Sequence, residues 1–301
     1  MKNYEEKEKK LDNVLKKLNT MSNRVIKMNN DINSLNLEKN QLLREKEESE
    51  KNFQNLSKQH QELKSELEKI NNQMHRINSY DAIIIAKPKA SFNMMYKYLI
   101  DQYIMNGGRI IWLLDGTNAA NMNNFAGQEF TVRKDSLLLN DILLKYGAKI
   151  NHNLIQDTRC TKNIILKNEN EWKHEEWQYN PLLISKQNHI ISSEGDSILT
   201  QWVSSIKILK PDKTTILLSS SDKSNVLNEG ENVSLNIINY PPNTFEGKKT
   251  VAVLIEDEFN TNFLKLLDTK ELKIKRKSLQ NKMIIISDGD IIANLYKYDG
   301  I

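Results

Sequence analysis

At 301 residues the chain has room for one or two domains. Its net charge of +4 divides into +3 before Ser79 (16 basic, 13 acidic residues) and +1 from there on (27 basic, 26 acidic), so neither part is a nucleic-acid-binding polycation. One cysteine, Cys160, excludes an internal disulfide framework and any multi-cysteine metal site, and no apolar run approaches the roughly 18–20 residues needed to span a bilayer.

The opening segment, MKNYEEKEKKLD, is charged throughout and lacks the apolar core of a signal peptide. From Lys2 to Asn78 there is no Gly and no Pro. With Leu11 at heptad position a and Val14 at d, the seam runs through Leu18, Met21, Val25, Met28, Ile32, Leu35, Leu42, Phe53, Leu56, Leu63, Leu67, Ile70, Met74 and Ile77. Sixteen of these twenty a/d positions are apolar, the exceptions being Lys39, Lys46, Ser49 and His60. A 3.5-residue period held this long predicts a left-handed coiled coil over residues 1–78, parallel and dimeric, on the order of 115 Å long. A lone helix of this kind would leave its seam in water, so it calls for a partner chain. The polar positions near Lys39 to Ser49 weaken the seam and penalise slipped registers. His60 reads as a partly exposed seam histidine before it reads as a pH switch.

Residues 79–301 read as an α/β domain that starts abruptly, with no Gly/Pro/Ser linker. Ala82 to Ala86 is a short Ile-rich run closed by Lys87-Pro88, as expected of a strand buried on both faces. Ser91 is a candidate N-cap for a helix carrying Phe92, Met95, Leu99, Tyr103 and Ile104 at helical spacing, and Asn106-Gly107-Gly108 is its left-handed C-terminal cap. Arg109 to Asp115 is a second buried strand. Strand, helix and strand within about 37 residues predict a right-handed βαβ unit.

Gly116 to Lys134 is a long polar loop that serves either as a binding surface at the carboxyl end of a parallel strand or as a plain surface connection. Asp135 is expected to cap a helix through Leu137, Leu138, Ile142, Leu143 and Tyr146, ended by Gly147 and followed by a strand at Ala148 to Ile150. Lys162 to Lys167 reads as a strand, and WKHEEWQYNPLL as an aromatic-rich irregular segment in which Trp172, Trp177 and Tyr179 form a ligand platform or plug a core edge. Ile206 to Leu209 and Thr214 to Ser219 flank Pro211-Asp212-Lys213 as a hairpin. Lys249 to Glu256 is a buried strand, Phe259 to Leu267 a short helix, and Lys282 to Ser287 a last strand leading to Asp288-Gly289-Asp290 and a helical turn.

Several of these segments, DAIIIAKP, IDQYIMNGGRIIWLLD, KYGAKINHNLIQD, TTILLSSS, VAVLIEDEF and MIIISDGDII, together resemble the GldG-type auxiliary proteins of gliding-motility ABC transporters. The resemblance covers about residues 79–301 and does not extend to the helix before Ser79. It implies a non-catalytic α/β module, with a mostly parallel sheet of flavodoxin- or glutamine-amidotransferase-like type, working beside ABC transporter subunits on the periplasmic side of the inner membrane. Members of that family are anchored in the membrane at both ends and carry an α/β segment ahead of DAIIIAKP. This chain is expected to lack both anchors and that segment, so the domain is expected to be incomplete at both ends. Taken literally, a chain without leader or anchor would be cytoplasmic. The alternative is a cytoplasmic coiled-coil scaffold carrying a remnant of the family domain.

Enzyme chemistry finds little support in the residues. An amidotransferase needs a cysteine on a tight strand-to-helix elbow beside a histidine. Cys160 sits in DTRCTK without flanking glycines, and His152, His174 and His189 lie in loops without a partner at catalytic spacing. There is no GxxxxGK[ST] and no GxGxxG, so neither a nucleotide nor any other cofactor is expected. The strand ends are acidic: Asp115, then Glu256 and Asp257, then Asp288 and Asp290. If their strands are parallel neighbours, these carboxylates line one sheet edge and form an interaction surface or meet a hard cation. Equally, they cap the amides that follow them. No repeated ligand spacing points to a metal.

Overall fold

The structure, a computed structural model, describes residues 2–121, 129–137, 139–168, 171–185, 189–192, 197–234, 236–239, 241–264 and 274–293. In chain order the elements are α1 (Lys2–Asn78), β1 (Ala82–Ala86), α2 (Met94–Met105), β2 (Arg109–Leu113), β3 (Phe130–Thr131), α3 (Asn140–Tyr146), β4 (Ala148–Ile150) and β5 (Asn153–Asp157). There follow β6 (Cys160–Asn168), β7 (Glu171–Ser185), β8 (Ile198–Leu199), β9 (Ile206–Ile208), β10 (Thr214–Ser219) and β11 (Ser224–Asn228). β12 (Asn232–Val233), α4 (Asn236–Asn239), β13 (Thr250–Asn260) and β14 (Lys277–Ile286) complete the described chain.

Two compact units result, residues 1–68 and 69–301. The first is continuous helix, and its seam residues are exposed: Ile32 is 51% accessible, Leu35 63% and Phe53 73%. The last turns of α1 belong to the second unit, where Ile77 packs against the main apolar cluster and Ile70 is half-buried.

The second unit is built on an eight-stranded sheet of order β1-β2-β14-β13-β10-β7-β6, with β8 beside β7. The expected βαβ unit is present: β1 pairs with β2 in parallel, from Ala82 opposite Arg109 to Ala86 opposite Leu113. Asn93, not Ser91, caps α2, its side chain accepting from the Tyr96 N–H at 2.9 Å. Gly107 takes the left-handed conformation (φ 101°) just beyond the helix end.

The mostly parallel sheet is corrected. Among the described residues only the β1–β2 and β2–β14 pairs are parallel, and β13, β10, β7, β6 and β8 pair antiparallel. Strand direction is set by connections, and the apolar run VAVLI reads the same in either sense. β1 is also not buried on both faces. It stands at the sheet's edge, with Ile83 and Ile85 against the core and Ala82, Ile84 and Ala86 exposed.

Other expectations shift locally. α3 starts at Asn140, with Leu139 as N-cap and no side-chain cap bond, while Gly147 ends it as expected at φ 117°. The supposed hairpin does not form: β9 pairs with β4, and β10 with β13 and β7, so Pro211–Lys213 turns the chain between two different sheets. WKHEEWQYNPLL is strand, most of the fifteen-residue β7. Phe259 closes β13 and does not open a helix; the remainder of that expected helix, beyond Leu264, lies outside the described residues, as do the end of the expected final turn beyond Ala293, residues 122–128 of the polar loop and the Trp172 side chain.

The sheet feeds two cores alternately. Val253, Ile255, Met283 and Ile285 join Trp112, Tyr103, Ile104, Ile142 and Tyr146 on one face. Ala252 and Leu254 join Leu183, Leu217 and Val203 on the other. Burying each large apolar side chain fully is worth about 1.5–3 kcal/mol, and this is what fixes the sheet's register. A third cluster forms around Trp177, Tyr179, Leu154 and Val233.

Candidate functional site

The three parallel strands bring their carboxyl ends together, the position at which open α/β sheets gather polar groups. β1 runs out at Lys87, β2 at Asp115-Gly116, and β14 at Ser287-Asp288-Gly289-Asp290. The Gly289 N–H donates to Asp115 Oδ1 at 2.8 Å. Lys87 Nζ pairs with the Asp290 carboxylate and donates to the Ala120 carbonyl at 3.3 Å. Asp288 accepts from two backbone amides, Asp290 N at 2.8 Å and Gln201 N at 3.3 Å.

Three carboxylates with one lysine in a buried setting cannot all keep their ordinary acidity. Burial raises Asp115, against the opposing pull of the Gly289 amide and Lys87. Burial pushes Asp288 up to about 7, with Asp115 and Asp290 adding like-charge repulsion. The backbone around the site is strained as well. Lys87 (φ 41°) and Trp202 (φ 56°) are the non-glycine residues with left-handed backbone among the described residues; Lys87 belongs to the cluster, and Trp202 follows Gln201, whose amide Asp288 accepts. Each such conformation costs about 1–3 kcal/mol. Gly116 fits because it has no side chain: a Cβ there would lie 2.3 Å from Ser204 Oγ and 2.5 Å from the Asn151 carbonyl.

Beside Asp115, a cavity of about 30 Å³, room for a water, is lined by Asp135, Asn140 and His152. His152 Nδ1 lies 2.9 Å from the Gly116 carbonyl, which can only accept, so Nδ1 carries the proton. Nε2 is then free to accept from Asn140 Nδ2 at 3.2 Å. Burial raises Asp135.

Of the five acidic residues expected along one edge, Asp115, Asp288 and Asp290 meet. Glu256 and Asp257 do not, because β13 runs antiparallel to β14 and carries them to the sheet's other end. There Glu256 pairs with Lys282 at 2.6 Å and Asp257 with Lys210 at 2.8 Å. Partial burial of Asp257 works against its charge, but the Lys210 hydrogen bond and charge outweigh it and hold the carboxyl below its usual range. Among the described residues, no group of three His, Cys, Asp or Glu side chains is placed to hold a metal ion.

Cys160 opens β6, and burial, with Glu176 and Asp157 nearby, pushes its thiol up to about 11. A thiol held protonated is a poor nucleophile. His174 lies in β7, not in a loop. Trp177 and Tyr179 are core, packed with Trp202 and Phe130 at ring separations of 5.1–5.9 Å. Lys87 and Gln201 were not singled out in the sequence: Lys87 reads there as a strand stop, and nothing local marks Gln201.

A second polar centre, Asp101, is fully buried on α2. It accepts from Tyr146 Oη at 2.9 Å, Asn262 N at 2.8 Å, Gln102 Nε2 at 3.0 Å and Thr261 Oγ1, which ties α2 to α3 and to the end of β13. Near it, an apolar groove of about 640 Å³ runs past Met94, Met95, Tyr98 and Phe263, with the Lys97–Asp141 pair (2.7 Å) on its wall.

This mixed α/β unit behind a long helix defines the class, and comparison with protein families supplies the membership. The chain belongs to the ABC_transp_aux family, described as an ABC-type uncharacterized transport system, whose model matches residues 25–300. The match begins inside α1, earlier than the Ser79 start of the resemblance read from the sequence. Comparison with curated proteins gives no match. Among solved structures the chain is similar to one described as the mmIFT52 N-terminal domain, at 12% identity over 72% of this chain and 70% of that one, with a TM-score of 0.40, a likeness that carries no argument.

Proposed function

We propose that this chain is a non-catalytic auxiliary component of a gliding-motility-associated ABC transporter complex, a member of the GldG-type branch of its family. In this reading it self-associates through a coiled coil in residues 1–78 and presents the α/β domain of residues 79–301 to the other transporter subunits at the inner membrane, on its periplasmic side. The family match over residues 25–300 carries the reading. Three features support it. The helix seam is apolar and exposed, from Leu11, Val14, Leu18 and Val25 through Ile32, Leu35 and Leu42 to Phe53, Leu56 and Leu63. The cysteine is held as a thiol. The Lys87, Asp115, Asp288 and Asp290 cluster is a polar edge suited to a protein partner. No helix among the described residues is long and apolar enough to cross a membrane.

The test is co-purification of the full chain, expressed in a gliding bacterium, with the ATP-hydrolysing and membrane subunits of an ABC transporter. Recovery with both in the envelope fraction is expected. A chain recovered free of both subunits contradicts the reading.

A further inference from the structure

We propose that the outer edge of β1 is a second self-association surface, at which two copies pair antiparallel about a two-fold axis through Ile84. This rests on the proposed self-association of the chain, and it adds a site within the α/β unit.

The argument starts from hydrogen-bond parity. Arg109 N donates to the Asp81 carbonyl and Lys87 N to the Leu113 carbonyl, so odd-numbered residues of this strand turn their backbone groups toward β2. Ala82, Ile84 and Ala86 therefore point theirs outward, on the side where β1 has no strand neighbour among the described residues. The same three residues are exposed, Ile84 at 57%. An apolar edge without a bulge, an inward charge or a proline inside the strand is a template for pairing.

The sequence selects a second copy as the occupant. Ala82-Ile83-Ile84-Ile85-Ala86 reads the same in both directions. Antiparallel pairing centred on Ile84 sets Ile84 opposite Ile84 of the other copy and Ala82 opposite Ala86, all as hydrogen-bonded pairs. Every outward N–H and C=O of both edges is then satisfied, and the exposed Ile84 side chains cover each other. Five residues a side fall well short of the ~1,000 Å² of a stable interface. The edge therefore acts once α1 has raised the local concentration, and only residues 79–81 separate β1 from that helix.

The test uses the full chain with Cys160→Ser as background. Ile84→Cys should form a disulfide-linked dimer under mild oxidation, since directly opposed Cα atoms lie about 5.5 Å apart, within disulfide reach. Ala82→Cys alone should link on the order of tenfold more slowly, its counterpart being about 14 Å away along the ladder. Mixing Ala82→Cys with Ala86→Cys chains should restore fast linkage. Light scattering on the unoxidised protein reports the helix-driven association separately. If the chains are dimeric but Ile84→Cys stays unlinked, or if Ala82→Cys links with itself as fast as Ile84→Cys does, the edge pairing is wrong while the helix association stands. A monomeric, unlinked protein overturns both.

Discussion

The two units treat the same residue types in opposite ways. In α1, leucines, isoleucines and valines at the seam positions from Leu11 to Leu63 stand 51–65% exposed. In the sheet, Val253, Ile255 and Ile285 are completely buried. The α/β unit buries its central apolar residues within one chain, with Trp112, Tyr103 and Tyr146 filling the space between sheet and helices. From Leu11 to Leu63 the helix carries as regular an apolar pattern, left exposed among the described residues, and burial is what makes such a pattern stabilising. Regular periodicity thus identifies an apolar surface, and only the tertiary structure says whether the same chain covers it.

That contrast can be broken from the helix side first. Leu18→Pro or Leu63→Pro removes a helix hydrogen bond and, in the proposed dimer, a seam contact, costing about 3 kcal/mol in each helix and so about 6 in that dimer. Light scattering should fall to the single-chain mass while the melting of the α/β unit stays unchanged. An unchanged mass would mean that the α/β unit alone holds the assembly.

From the other side, Asp101→Ala should destabilise the α/β unit by about 3–5 kcal/mol, because Tyr146, Thr261, Gln102 and the Asn262 amide would lose a buried acceptor. Denaturant unfolding followed by tryptophan fluorescence measures it, and association through the helix should not change. A loss below 1 kcal/mol would mean that water or a rearranged side chain replaces the carboxylate.

Within the sheet the two ends differ in pH response. Asp288, raised to about 7 by burial, binds its proton more tightly folded than unfolded, so the α/β unit should lose stability as pH rises from about 4 to 7. The loss is on the order of 3 kcal/mol. Asp257, lowered despite its burial by the Lys210 pair, has the opposite sign, its contribution being present above the usual carboxylate pKa and lost as pH falls through its depressed one. Thermal melts across this range should show Asp288→Asn flattening the neutral-side loss. Asp257→Asn should cost about 1 kcal/mol at pH 7 and progressively less as pH falls below the usual carboxylate range. An unaltered slope in Asp288→Asn would assign the neutral-side loss to other groups.

The smallest effect belongs to Cys160→Ser. With the thiol already protonated and half-buried, replacement should change stability by less than about 1 kcal/mol and leave transporter association intact. Loss of association in a folded variant would give the thiol a role that its surroundings do not support.

The parts legible in the sequence were those fixed by local spacing. β1, α2 and β2 follow from apolar runs separated by one helix length, and Gly107 and Gly147 mark helix ends because few other residues adopt their backbone conformation. The parts that escaped depend on distant partners. β7 has Lys173, Glu175 and Glu176 along its length, and strand geometry there follows from pairing with β6 and β10. The direction of β13 is invisible in an apolar run, and that one fact separates Glu256 and Asp257 from Asp115, Asp288 and Asp290. Lys87 was hidden for a similar reason: its partner Asp290 lies about 200 residues further along the chain.

The account turns on the exposed seam of α1 being a self-association surface, and sedimentation equilibrium of the intact chain over a range of concentrations tests that most directly. The chain mass is 35.0 kDa, and the account predicts a species of twice that mass which Leu35→Asp returns to the single-chain value. A mass of 35.0 kDa at every concentration would contradict it.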